Sequence, residues 1–296
     1  MKKFTGIYPA LVTPFDEHGA INPKAVSELV DRCLEKGVSG FYVGGSTGES
    51  FLLSPDERRY MLEQVMKAVN GSVDVIANIG VFATEQGLEL AKHAESLGVS
   101  AISSVPPFYF PFTMDEYVQY YNDLAEGVSV PVIVYNIPAM SGITFKTEDI
   151  DRLFANDKII GMKHTSYDLF QLERILKNYP EKNIFCGHDE LFLSAAAVGN
   201  RAGIGSTFNF MAEKFVKIQN LLAENKWEEA AAIQDEANAV VEALCKVGVF
   251  KGVKAALQMQ GIDCGLCRRP FQPLDNGQLS YLKNVQVGGQ AVLGRQ

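Results

Sequence analysis

The fold is indicated most clearly by VPVIVYN, residues 130–136, and KIIGMK, residues 158–163. Both runs are short, mostly apolar and rich in Val and Ile. A strand that is covered by helices on both faces of a parallel sheet has this composition, because neither face needs to be polar. The two runs therefore predict strands of an α/β fold.

The same unit recurs along the chain, where each apolar run is followed by a stretch with helical periodicity. Eight runs are recognised, at residues 6–13, 40–43, 73–79, 101–105, 130–136, 158–163, 183–186 and 202–205. Two helix starts carry capping boxes, at residues 54–57 and 113–116. Eight strand–helix units in about 210 residues predict a (β/α)8 barrel, and an open doubly wound sheet is the alternative with the same local pattern. No GxGxxG motif follows the first run, which counts against a dinucleotide-binding domain.

Beyond residue 210 the pattern is purely helical, with candidate helices at residues 215–224, 227–246, 249–260 and 276–284. We therefore expect a barrel over residues 1–210 and a C-terminal helical extension over residues 211–286, packed together as one structural unit. Residues 287–296 are rich in Gly and Gln and lack a clear period, so we expect a loose tail there.

Charge and composition exclude several classes of partner. The 296 residues include 27 Lys and Arg against 35 Asp and Glu, which gives a formal net charge of −8. Nucleic acids and anionic membranes are bound by basic surfaces, so we expect neither as a partner. We also expect no secretory signal and no transmembrane helix, because no uncharged apolar run approaches about 18 residues. The five scattered cysteines are expected to be reduced thiols of a cytoplasmic protein.

Polar clusters lie at the ends of five of the predicted strands. They are GGSTGE at 44–49, YNIP at 135–138, KHTS at 163–166, GHDE at 187–190 and GST at 205–207. The reacting groups of a (β/α)8 barrel lie at the carboxyl ends of the strands, so the five clusters should face one cavity.

Lys163 is the strongest candidate for a nucleophile, because it ends a run that should be buried. An ammonium group is costly in an apolar site, and the neutral amine can condense with a ketone. The resulting iminium accepts electrons when a carbon–carbon bond breaks. Tyr135 ends the preceding run and can relay a proton near the imine. From position alone, an ion-paired lysine at a strand end and an amphipathic core tyrosine remain open.

The glycine-rich loop at residues 44–48 is a candidate anion site. Consecutive N–H groups in such a loop can bind an anion, and Ser46 and Thr47 add two hydroxyl donors. A carboxylate and a phosphate both fit this chemistry, although no GK[ST] follows and the loop is not a P-loop. Glycines that serve only a tight turn are the remaining alternative.

Asp189 and Glu190 form an acidic pair that allows three interpretations. They could bind the hydroxyls of a polyol, hold the divalent metal ion of a metal-dependent aldolase, or cap the helix that follows. We expect no metal ion, because a nearby set of His and carboxylate ligands is missing.

Together, the clusters at residues 44–49, 135–138, 163–166 and 187–190 resemble the motifs of the dihydrodipicolinate synthase/N-acetylneuraminate lyase family. The resemblance implies a (β/α)8 barrel with added C-terminal helices, assembled as a homotetramer. It implies that Lys163 forms a Schiff base with pyruvate, with no other cofactor, and that Tyr135 donates or relays a proton. Ser46 and Thr47 would bind the pyruvate carboxylate. Tyr109 resembles the tyrosine that family members extend across a dimer interface into the neighbouring active site.

The branch of the family is indicated by the residues around the motifs. Dihydrodipicolinate synthases typically carry an arginine after the Tyr-Asn motif, where it grips a second carboxylate, and Met140 stands in its place here. The strings GST, K-x-T-S and G-x-D-E instead resemble the branch that cleaves open-chain N-acetylneuraminate to N-acetylmannosamine and pyruvate. In that branch the pocket for the sugar chain is lined by Thr165, Gly187, Asp189, Glu190 and Ser206.

Three alternatives remain open from the sequence. The first is another class I pyruvate aldolase, such as a dihydrodipicolinate synthase or a 2-keto-3-deoxy sugar acid aldolase. The second is a metal-dependent aldolase that uses Asp189 and Glu190. The third is a barrel that only binds a sugar acid, which the pairing of Lys163 with Tyr135 disfavours.

Overall fold

A computed structural model describes residues 2–287, 290–291 and 293 of the protein. The main sheet contains eight parallel strands of 4 to 6 residues. They are β1 (Gly6–Pro9), β2 (Gly40–Val43), β3 (Asp74–Asn78), β4 (Ala101–Ser104), β5 (Val132–Asn136), β6 (Ile159–His164), β7 (Asn183–Cys186) and β8 (Ala202–Gly205).

The eight strands close into a barrel. Pairing runs in the order β1-β8-β7-β6-β5-β4-β3-β2, and the two ends of the series meet where Ala10 forms a parallel bridge with Tyr42. The N–H of Leu11 also donates to the carbonyl oxygen of Tyr42 over 2.9 Å. The predicted (β/α)8 barrel is therefore confirmed, and the alternative of an open doubly wound sheet is excluded.

Helices connect the successive strands, as the right-handed crossover of a parallel sheet requires. They are α1 (Pro23–Glu35), α2 (Pro55–Val69), α3 (Thr84–Ser96), α4 (Met114–Gly127), α5 (Pro138–Ser141), α6 (Thr147–Phe154), α7 (Leu169–Asn178) and α8 (Phe192–Ala197). Both predicted capping boxes form. The hydroxyls of Ser54 and Thr113 accept from the third residue of their helices, and Glu57 and Glu116 accept from the cap backbone in return.

Alternation along the strands produces two apolar layers. Ile133 points into the barrel with Tyr8 and Phe185, whereas the next residue, Val134, packs outward against the helices. Because side chains fill the barrel interior, the polar groups at its carboxyl end form the floor of a cavity rather than the wall of a channel.

The eighth strand is followed at once by α9 (Phe208–Ala223), which kinks at Met211 and packs against β1 and α1. The helix therefore begins before the start at residue 215 that the sequence predicts. The start of α9 could not be predicted from the sequence, because no Gly or Pro separates this helix from the end of β8.

The extension consists of α10 (Trp227–Val247), α11 (Val249–Met259) and α12 (Asn276–Lys283). Two short antiparallel strands follow, β9 (Gln286–Val287) and β10 (Gln290–Ala291), and most of the tail predicted at residues 287–296 lies outside the described residues. Within the described part of the chain, no helix is long and apolar enough to cross a membrane. All five cysteines are free.

Candidate functional site

A cavity of about 240 Å³ opens at the carboxyl ends of the barrel strands. Nine of the ten site residues predicted from the sequence line it, namely Ser46, Thr47, Tyr135, Lys163, Thr165, Gly187, Asp189, Glu190 and Ser206. The C-terminal extension closes one side of the cavity through Val241, Leu244, Cys245, Val249 and Phe250. The extension is therefore part of the site.

The register of β5 and β6 sets Lys163 beside Tyr135, because these two residues are directly paired across the strands. Both side chains point inward and are almost fully buried. The Nζ atom of Lys163 lies 4.0 Å from the centre of the Tyr135 ring and 4.7 Å from the centre of the Tyr42 ring. The amine thus stands between two aromatic rings on the cavity floor, where little water surrounds it.

The position of Lys163 depends on a glycine two residues earlier. Gly161 of β6 pairs with Asn183 of the neighbouring strand β7, and the two backbones lie very close together. A Cβ atom on Gly161 would lie 1.9 Å from the carbonyl oxygen of Asn183. Any side chain here would push β6 away from β7 and displace the lysine.

Tyr42 is a functional neighbour that the sequence analysis did not single out. Its hydroxyl donates to Ser103 over 3.1 Å and accepts from the amide of Asn78 over 2.7 Å. Its ring meets the Tyr135 ring edge-on, with the ring centres 5.9 Å apart. Burial raises the pKa of Tyr42, so it stays a neutral phenol that holds the Tyr135 ring in place. A tyrosine inside an apolar strand carries no local signal of this role.

The candidate anion loop forms a tight turn at the rim of the cavity. Gly44 adopts a left-handed conformation with φ of 75°, and residues 46–48 form one turn of 3₁₀ helix. The first N–H groups of such a turn have no partner within it, so those of Ser46 and Thr47 are available to an anion. The hydroxyls of Thr47 and Ser206 lie 2.7 Å apart, which joins this loop to the end of β8.

The loop is anchored to the protein interior by Glu49, whose carboxylate is buried. Glu49 has a left-handed backbone with φ of 60°, and its N–H donates to the carbonyl of Ser46. Its Oε1 atom lies 2.8 Å from Nζ of Lys254 on α11, and its Oε2 atom accepts from the N–H of Arg268 over 2.7 Å. The extension therefore holds the loop through a buried ion pair, which links residues too far apart in sequence to be paired by inspection.

Asp189 is buried, and one of its carboxylate oxygens is already bonded within the protein. Its Oδ2 atom accepts from the N–H and the hydroxyl of Thr207, over 2.8 and 2.7 Å. Burial raises the pKa of Asp189 to about 6, although the two bonds from Thr207 oppose this rise. Asp189 thus holds Thr207, the residue before α9, while it also lines the cavity, and the helix α8 that follows Asp189 in sequence has no side-chain cap hydrogen bond.

Glu190 lies at the outer part of the cavity in a cluster with His188 and Tyr167. The hydroxyl of Tyr167 donates to Oε1 of Glu190 over 2.9 Å, and Nδ1 of His188 lies 3.1 Å from the same oxygen. Burial would raise the pKa of Glu190, but these contacts outweigh it and lower that pKa below its usual value. Glu190 is therefore an ionised acceptor at neutral pH.

Thr165 and Gly187 form a close contact between β6 and β7. A Cβ atom on Gly187 would lie 1.9 Å from the hydroxyl oxygen of Thr165, so only glycine fits at this position. The Thr165 hydroxyl is buried and has no hydrogen-bond partner among the described residues. A buried hydroxyl without a partner is costly, and a ligand in the cavity could satisfy it.

Tyr109 is the predicted site residue that the chain does not bring to the cavity. It is 74% exposed and packs against Phe82 and Phe110 in an aromatic cluster on the surface. Met140 stands where a dihydrodipicolinate synthase typically carries an arginine, and it lines the cavity and is exposed.

Lys163 is the only Lys or Arg among the residues that line the cavity in the described chain. The described residues include no group of three or more His, Cys, Asp or Glu that could hold a metal ion.

The sequence as a whole matches a known family. A model of the dihydrodipicolinate synthetase family matches residues 3–286. The chain belongs to this family. The resemblance predicted from the motifs is therefore confirmed, and so is the assignment of the protein as an enzyme.

Individual relatives in the dihydrodipicolinate synthetase family narrow the comparison. An N-acetylneuraminate lyase of Rhizobium meliloti is 42% identical over 283 residues, which covers 96% of this chain and 94% of the relative. The structure of CdNal from Clostridium difficile in complex with mannosamine has a TM-score of 0.93 at 36% identity, covering 96% of this chain and 98% of that one. A catalytic lysine mutant of the Ruminococcus gnavus sialic acid aldolase has a TM-score of 0.92 at 31% identity, covering 95% and 94%.

Proposed function

We propose that the protein is an N-acetylneuraminate lyase, a class I aldolase that reversibly cleaves open-chain N-acetylneuraminate into N-acetylmannosamine and pyruvate. The observation that carries the proposal is the amine of Lys163, buried 4.0 Å from the centre of the Tyr135 ring on the floor of the cavity. The nearly full-length similarity to lyases supports this substrate over the other pyruvate aldolases.

Substrate binding begins at the anion loop. The carboxylate of the open-chain substrate accepts from the hydroxyls and N–H groups of Ser46 and Thr47, at the rim of the cavity. This contact directs the C2 ketone toward Lys163. The amine adds to the ketone, and the resulting carbinolamine loses water to form a Schiff base. No other cofactor takes part in the proposed reaction, because the imine itself accepts the electrons.

Cleavage follows from the electron demand of the imine. A proton leaves the C4 hydroxyl, the C3–C4 bond breaks, and its electron pair moves into the iminium to give an enamine on Lys163. Tyr135 is placed to take and return this proton, with the substrate carboxylate as a partner in the relay. N-acetylmannosamine leaves, the enamine is protonated at C3, and water hydrolyses the imine to release pyruvate.

The far end of the substrate is a hydroxylated chain, which needs polar partners in a partly buried cavity. Thr165, Asp189, Glu190 and Ser206 supply hydroxyl and carboxylate groups, and the missing Cβ of Gly187 leaves room for the Thr165 side chain beside β7. A dihydrodipicolinate synthase must instead grip a second carboxylate, and Met140 cannot do so.

We also propose a homotetramer that acts in the cytoplasm, with Tyr109 contributing to the active site of a neighbouring subunit. The exposed aromatic cluster around Tyr109 supports this, because a protein that keeps such a patch usually covers it with a partner. Sedimentation of the wild type and of Tyr109→Ala, combined with activity measurements, tests this part of the proposal.

The function is tested by measuring the release of N-acetylmannosamine from N-acetylneuraminate. The same preparation is assayed for condensation of pyruvate with aspartate semialdehyde. We expect cleavage by the wild type, no detectable cleavage by Lys163→Ala, and little or no condensation. Absence of N-acetylmannosamine release, or faster condensation than cleavage, would contradict the assignment.

A further inference from the structure

An aromatic pair stands at the outer wall of the cavity and has no part in the proposed cleavage step. The rings of Tyr167 and His188 are stacked, with their centres 4.3 Å apart and their planes inclined by 25°. Both residues line the cavity beside Glu190. Tyr167 is nevertheless 68% exposed, so the face of its ring that is turned away from His188 is open to a ligand.

The pair determines how Glu190 is presented to a ligand. The Tyr167 hydroxyl and Nδ1 of His188 both lie on Oε1 of Glu190, over 2.9 and 3.1 Å. A carboxylate can only accept, so the Nδ1 atom carries a hydrogen in this contact. With two donors on one oxygen, Oε2 is the atom left to accept a hydroxyl from a ligand. The bond to Glu190 raises the pKa of Tyr167 to about 12, so the phenol keeps its proton.

The backbone around Tyr167 is fixed. The residue lies in the short connection between β6, which carries Lys163, and α7. The Asp168 side chain caps α7 by accepting from Gln171, and the N–H of Asp168 donates to the Ser166 hydroxyl. The carbonyl of Tyr167 accepts from Leu169 over 3.0 Å. These contacts hold the backbone of Tyr167 close to the end of the strand that carries Lys163.

We propose that Tyr167 is a specificity-determining residue that contacts the hydroxylated chain of the substrate beyond the cleaved bond and thereby favours long sugar acids over short ones. The C–H groups of such a chain pack on the open ring face, and its hydroxyls reach the oriented Glu190 carboxylate. The inference rests on the proposed function, which supplies a nine-carbon substrate. A six-carbon 2-keto-3-deoxy sugar acid ends closer to Lys163 and makes less use of this wall.

The test compares kcat/KM for N-acetylneuraminate and for 2-keto-3-deoxygluconate in the wild type, Tyr167→Ala and Tyr167→Phe. Tyr167→Ala should lower the value for the nine-carbon substrate about tenfold and the value for the six-carbon substrate less than about threefold. Tyr167→Phe keeps the ring but loses the hydroxyl that holds Glu190, so its loss should be intermediate. Trapping of the pyruvate adduct with borohydride should be unchanged in both variants.

Phe170→Ala is the matched control, because Phe170 is a similarly exposed aromatic residue of the same region that does not line the cavity. It should leave both substrates unaffected. Equal losses on the two substrates, or no loss on either, would overturn the role of Tyr167 and leave the proposed function intact. A wild type that cleaves the six-carbon acid but not N-acetylneuraminate would overturn the proposed function, and this inference with it.

Discussion

Replacing Lys254 by methionine should destabilise the fold and weaken the binding of pyruvate, because it leaves the Glu49 carboxylate buried without its counter-ion. The two side chains are only 3% and 0% exposed, and their charged atoms lie 2.8 Å apart. The contact is an ion pair rather than an aligned hydrogen bond, so methionine removes its electrostatic part while keeping most of the packing.

The size of the effect follows from this burial. Removing one partner of a buried ion pair costs about 3–5 kcal/mol, because the remaining charge loses its compensation. Lys254 also lies 4.2 Å from the centre of the Phe15 ring and donates to the carbonyl of Leu266, so the upper half of that range is expected. Glu49 directly follows the loop that carries Ser46 and Thr47, so KM should rise about tenfold while kcat changes less.

Urea unfolding and steady-state kinetics measure these two effects. Lys246→Met is the matched control, because Lys246 pairs with Glu242 over 2.7 Å on the surface, and it should leave stability almost unchanged. The double variant Glu49→Gln/Lys254→Met should lose less unfolding free energy than the sum of the losses in the two single variants. A Lys254→Met variant with the unfolding free energy and KM of the wild type would refute the anchoring role of the ion pair.

Three further predictions concern the chemistry of the cavity. Tyr135→Phe should lower kcat about 10²–10⁴-fold while the pyruvate adduct on Lys163 still forms, as rapid-quench kinetics and mass spectrometry can show. Because burial raises the pKa of Asp189 to about 6, the folded protein favours the protonated carboxyl group, and the unfolding free energy should fall by about 2 kcal/mol as pH rises from 4 to 6. Asp189→Asn should lack this part of the pH dependence, and an unchanged pH profile would contradict it. Activity should survive exhaustive chelation, and rescue of a chelated enzyme by a divalent ion would favour a metal-dependent aldolase.

Much of the fold could be predicted because its signals are local. Apolar runs mark the strands, and the capping boxes at Ser54 and Thr113 mark two helix starts. Period and propensity do not report where a helix begins without a turn, and this is why α9 was missed between residue 208 and the predicted start at 215.

Some residues of the candidate site could likewise be predicted from the sequence, and others could not. The residues at the strand ends could be predicted because barrel geometry brings all of those ends to one face. Tyr42 and Lys254 act through partners that are distant in sequence, so no motif contains them. The stacking of Tyr167 on His188 depends on the approach of two loops, which only the folded chain shows.

The central claim is that Lys163 forms a Schiff base with pyruvate. The most direct measurement is reduction of the enzyme with borohydride in the presence of pyruvate, followed by peptide mass mapping, with Lys163→Ala treated in parallel. We expect one reduced pyruvate adduct on the peptide that contains Lys163 and none in the variant. An active wild type whose Lys163 peptide stays unlabelled, or whose label lies on another lysine, would contradict the mechanism.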